Sequence, residues 1–148
     1  MFADGPAVRP YLKTVPMILF LRFLFIVVIG SMLWVTSWAS LHQSLGAFAH
    51  SATFRDPWVI ATLADAYWAF ITFFVWVAWK EQSWAARVLW FVSIVLLGNM
   101  AMAAYMLVQL FAVSATGPLD EVFTRRQPGK LALPAGLTVV SILIYVLA

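Results

Sequence analysis

One carboxylic acid, Asp65, lies inside a long apolar run: Asp56 to Glu81 reads DPWVIATLADAYWAFITFFVWVAWKE. An aspartate at the centre of a membrane-spanning helix costs about 2.5–3.5 kcal/mol on insertion scales. It must therefore face other helices, accept hydrogen bonds or keep its proton. That chemistry suits a polar anchor beside a ligand, or a proton-coupled step. Helical spacing lines up Thr62, Asp65, Trp68, Thr72, Trp76 and Trp79 along one face. An indole only donates, so Trp68 is placed to satisfy the Asp65 carboxylate. Asn99 is the expected partner from the next span, with Tyr105 further along that helix and Trp34 approaching from the first. The candidate cluster, ligand-binding or structural, is Asp65, Asn99, Trp68, Tyr105 and Trp34. The structural alternative has weight because interhelical hydrogen bonds in membranes are worth only about 0.6 kcal/mol on average.

Other chemistries find no footing. The chain has no cysteine, which removes disulfides, thiolate catalysis and iron–sulfur ligation. His42 and His50 are eight apart, whereas metal ligands on one helix face are three or four apart. They read as surface histidines, and the absence of histidine from the apolar runs argues against bis-histidine haem. No nucleophile–base pair, phosphate-binding loop or paired carboxylates can be found. No catalytic residue, metal or cofactor is expected, and an enzyme reading has no motif behind it. Arg22, inside the first apolar run, reads as a side chain that snorkels back to the headgroups. A bridge from Arg22 to Asp65 would have to cover about 12 Å along the membrane normal.

The elements that must position these residues follow from composition. Of 148 residues, 64% are hydrophobic and 10% charged, against about 25% charged in a soluble domain. Too few charges remain to cover a water-facing surface. The expectation is an all-α, integral membrane bundle of four transmembrane helices, at about 15–38, 57–79, 84–113 and 131–148, following a tail at 1–14. The first run exceeds the roughly 7–15 apolar residues of a signal peptide. Asp56-Pro57 is a strong helix start, an N-cap followed by proline at the first helical position. Lys80 to Ser83 is a tight turn, and Gly117-Pro118 a stop.

The connection 39–55 reads as interfacial. The connection 118–130 reads as a polar loop with a brief helix after Pro118 and a basic cluster at Arg125, Arg126 and Lys130. Four spans would place Arg9, Lys13, Lys80 and Arg87 on one side, and Arg55, Arg125, Arg126 and Lys130 on the other. With the basic residues so balanced, the positive-inside rule favours neither orientation. The snorkelling of Arg22 toward the tail tips the termini to the cytoplasmic side of a cell membrane. The expected partner is the lipid bilayer, with a second membrane protein or a second copy left open. A net charge of +3, without a basic patch of the needed size, argues against nucleic acid.

PWVIATLADAYWAFITFFVWVAWKEQSW, then Arg87 and Trp90, then GNMAMAAYMLVQLF, together with TSWAS at Thr36 to Ser40, resemble the small membrane proteins of domain of unknown function 1475. The likeness covers about residues 30–125. It implies a multi-pass membrane protein and carries no activity with it. The functional expectation is a non-enzymatic binding or accessory protein holding an apolar ligand or a partner helix. The alternative is a small proton-coupled carrier using Asp65.

Overall fold

The computed structural model describes residues 14–147, and its named elements are all helical. The tail expected at 1–14 and the final Ala148 lie outside the described residues, apart from Thr14. In order, the helices are α1 (Thr14–His42), α2 (Leu45–Ala49), α3 (Pro57–Lys80), α4 (Trp84–Leu97), α5 (Asn99–Phe111), α6 (Leu119–Thr124) and α7 (Ala132–Leu147), with a 3-10 turn at Thr53–Arg55 before α3. The start signals operate as expected. The Asp56 carboxylate accepts from Trp58 N–H at 2.8 Å, and Ser83 Oγ caps α4 at Ala86 N–H. The short helix expected after Pro118 is α6, with Asp120 and Glu121 in its first turn, where acids complement the helix dipole.

Length separates the helices into two groups. α1 has 29 residues and α3 has 24, about 43 and 36 Å at 1.5 Å per residue. Both are long and apolar enough to cross a membrane, whose hydrocarbon core is about 30 Å thick. α4, α5 and α7 have 14, 13 and 16 residues, about 21, 20 and 24 Å. None of the three covers that thickness by itself.

The main departure from expectation lies at residues 84–113, which do not form one helix. The chain reverses at Gly98, and α5 folds back along α4. The rings of Trp90 and Tyr105 therefore meet with centroids 4.9 Å apart. In one continuous helix fifteen residues would separate them by about 22 Å. Gly98 has φ 55° and ψ −127°, a combination closed to side-chain-bearing residues by steric clash. The turn keeps its backbone bonded: Gly98 N–H donates to Ile94 O at 2.8 Å, and Met102 N–H to Gly98 O at 3.1 Å. The Phe70 ring lies so close that a β-carbon on Gly98 would sit 2.7 Å from its Cζ. Ala86 and Ala101, both fully buried, let the two arms approach.

A second correction follows from the first. Because α5 returns, the 118–130 connection ends beside Lys80 to Gln82 rather than across the bundle from it. Gln127 N–H donates to Lys80 O at 3.0 Å, and Gln82 N–H to Gln127 O at 3.2 Å. α1 starts at the same end, where Arg22 Nη2 donates to Leu110 O at 3.0 Å and Val113 O at 2.8 Å. α7 runs parallel to α4: Thr138 Oγ1 donates to Leu89 O at 3.1 Å, and Tyr145 OH to Leu96 O at 3.1 Å. The buried core lies in this half of the molecule, around Val77, Trp90, Ile94 and Tyr105 and around Ile18, Leu110 and Val122. Past the hairpin tip α1 and α3 lose these neighbours, and their Trp34, Trp38, Trp58 and Trp68 stand exposed.

Candidate functional site

The five residues expected to cluster do not come together. Asp65 is exposed on α3, five residues before the Phe70 that marks the hairpin tip. Its carboxylate takes no hydrogen bond from the described residues. Asn99 is exposed at the tip itself. Trp34 and Trp68 are 76% and 68% exposed, whereas Tyr105 is 0% exposed. The reason is direction. In a single span, the six residues from Asn99 to Tyr105 would climb toward the Asp65 end; in α5 they lead about 9 Å away from it.

What does assemble is a polar knot at the other end of α3, built around the Lys80–Ser83 turn. Lys80 is the last residue of α3 and is fully buried. Its ammonium donates to Val122 O and lies 4.9 Å from the centre of the Trp76 ring. Glu81 follows it and is 3% exposed. Tyr105 OH donates to Glu81 Oε1 at 3.1 Å, and Arg87 Nε to Glu81 O at 2.9 Å. One turn further along α5, buried Gln109 accepts from Gln127 Nε2 at 2.7 Å. Arg126 Nη1 donates to Trp79 O at 2.7 Å, with its guanidinium over the Trp79 ring. The knot ties α3, α4, α5 and the 118–130 connection into one end. Its only sequence signals were a Lys-Glu pair abutting an apolar run and Tyr105 and Gln109 spaced one helical turn apart.

Against this knot lies an open apolar cleft of about 640 Å³. α1 contributes Phe25, α3 Phe73 and Trp76, α5 Met102 and Met106, and α6 Phe123, with Asn99 at the margin. Trp76 is fixed in place: its Nε1–H donates to Phe123 O at 3.3 Å, and its ring meets Tyr105 edge-on at 5.6 Å. The lining offers aromatic faces and two flexible thioethers, which adapt to irregular apolar shapes. It offers no nucleophile paired with a base.

A family profile described as protein of unknown function (DUF1475) matches residues 4–128. The chain belongs to the DUF1475 family. The matched region takes in α1 through α6, and with them the hairpin, the knot and the cleft, while α7 lies beyond it. No curated protein and no solved structure matches the chain.

Burial has an electrostatic consequence in this DUF1475 chain. Desolvation pushes the Glu81 carboxyl above its ordinary value, opposed by the Tyr105 hydroxyl and by the Lys80 and Arg87 charges. Two buried polar atoms, Arg22 Nε and Gln109 Nε2, have no hydrogen-bond partner among the described residues. Nor do the described residues of the DUF1475 chain include three His, Asp or Glu side chains grouped as metal ligands would be.

Proposed function

We propose that this DUF1475 protein is an integral membrane protein that binds an apolar ligand in the α1–α3 cleft, without catalysing a reaction. In this reading α1 and α3 cross the bilayer. The α4–α5 hairpin and α7 enter it from one face without reaching the other, a re-entrant arrangement in place of two of the four complete spans. Non-helical backbone at membrane depth is tolerated where protein buries it, and Gly98 is buried. The charge distribution supports an orientation. Arg22, Lys80, Arg87, Arg125, Arg126 and Lys130 stand at the knot end, and among the described residues only Arg55 stands at the other. The positive-inside rule assigns the knot end to the cytoplasm.

The observation that carries the ligand reading is the cleft itself. Its volume falls within the range of about 300–1,000 Å³ of small-molecule sites, and Trp76 in its wall is anchored by the hydrogen bond to Phe123 O. Asp65 does not line it, so a carrier mechanism through Asp65 has no geometric support. The test is to purify the protein in mild detergent and identify apolar compounds in its organic extract. Val28→Trp fills the cleft from the α1 wall, where Val28 is half-buried. The expected result is a compound retained near one per chain by the wild type and lost from Val28→Trp. Extracts holding only detergent and bulk lipid in both proteins would overturn the reading.

A further inference from the structure

We propose that a second groove, on the opposite face of α5, binds an anionic phospholipid. The groove encloses about 510 Å³ between α1, α5 and the start of α7. Ile29, Ala104, Phe111 and Leu133 form apolar walls, and Gln127 and Lys130 stand at its knot end. The same end carries Arg125, whose Nη1 donates at 2.7 Å to the carbonyl of Ala112, itself a lining residue. An apolar wall running into a cationic mouth matches a lipid, with an acyl chain along α5 and a phosphate between Lys130 and Arg125.

The cations at the mouth are poorly neutralised. The one ion pair among the described residues joins Arg125 to Glu121 at 3.6 Å, and both side chains are about half exposed. Such a pair is weak and readily exchanged. Lys130 has no carboxylate within ion-pair distance among the described residues. A guanidinium and an ammonium offer phosphate charge-assisted hydrogen bonds. Basic pockets between helices at the cytoplasmic face recognise anionic headgroups in this way. A zwitterionic choline headgroup brings its own cation to the same mouth, so the site discriminates in favour of net negative charge.

The inference rests on the membrane placement proposed above, and is independent of the α1–α3 cleft. Resistance of the expressed protein to alkaline carbonate extraction checks that placement separately. The binding test is a titration of detergent-solubilised protein with phosphatidylglycerol and with phosphatidylcholine of identical chains, followed by native mass spectrometry. Each cation near the headgroup is worth about a five-fold gain in affinity, so phosphatidylglycerol should bind the wild type about 25-fold more tightly. Lys130→Gln with Arg125→Gln should bring it down to the phosphatidylcholine level. Ala104→Leu, which narrows the groove, should weaken both lipids together, while Val28→Trp in the other cleft and Arg55→Gln at the other end should change neither. Unfolding midpoints of the variants check that each is folded. Equal wild-type affinity for the two lipids would overturn the proposal. So would a preference that survives the double substitution, undiminished binding to Ala104→Leu, or displacement of phosphatidylglycerol by inorganic phosphate alone.

Discussion

Replacing Gly98 by alanine should destabilise the protein, and the sign of the effect is the informative part. In an uninterrupted helix, alanine is more favourable than glycine by about 1 kcal/mol. At the hairpin tip the opposite holds, because φ 55° with ψ −127° is a backbone state that costs a side-chain-bearing residue roughly 1–3 kcal/mol. The new β-carbon would also lie 2.7 Å from Phe70 Cζ. That contact is with a ring tip able to swing aside, so the backbone contribution should dominate. The expected loss is about 2 kcal/mol, which places the hairpin and the continuous helix about 3 kcal/mol apart in prediction. Reversible unfolding in detergent micelles measures the difference. Repeating the substitution in a Phe70→Leu background separates the two causes, since leucine has no Cζ: most of the penalty should persist there. A neutral or stabilising Gly98→Ala would refute the hairpin.

Substitutions at two further residues probe the knot end. The Glu81 carboxyl is raised from its ordinary 4.5 chiefly by burial, so folding favours its protonated form. The stability this confers is fully present below 4.5 and is lost as pH rises through the raised folded value. The wild-type unfolding midpoint should therefore fall across that window, and Glu81→Gln, which keeps an acceptor for Tyr105 OH, should flatten the profile. Arg22→Met removes the charge-assisted hydrogen bonds to Leu110 O and Val113 O and should cost about 1.5–3 kcal/mol in the same unfolding assay. Arg22→Lys should recover less than half of it, because an ammonium lacks the planar fork.

The sequence made some of this architecture legible for physical reasons. Uninterrupted apolar runs mark α1 and α3 because composition reports the solvent a segment prefers. Asp56-Pro57 and Ser83 mark helix starts because capping is local chemistry. Direction is a different kind of property. Gly98 sits in a run that is apolar on both sides, so no change of solvent announces the reversal there. The clue was length: thirty residues from Trp84 to Val113 would extend about 45 Å as one helix, well beyond an apolar core of about 30 Å. The residues of the candidate cluster lie apart for the same reason. Asp65 stands out in the sequence as a charge within an apolar run, and pairing it with Asn99 and Tyr105 requires a helix direction that the hairpin reverses. Lys80, Glu81, Gln109 and Gln127, each ordinary at a membrane interface, form the knot only because α5 and the 118–130 connection return to the end of α3.

The central claim is that the 118–130 connection lies on the same side of the membrane as the turn between α3 and α4. The chain contains no cysteine, so single cysteines can be placed at Gln82, Pro128 and Ala52 and labelled with a membrane-impermeant maleimide in sealed vesicles of known orientation. Positions 82 and 128 should react from the cytoplasmic side, and position 52 from the opposite side. Labelling of 82 and 128 from opposite sides would contradict the claim.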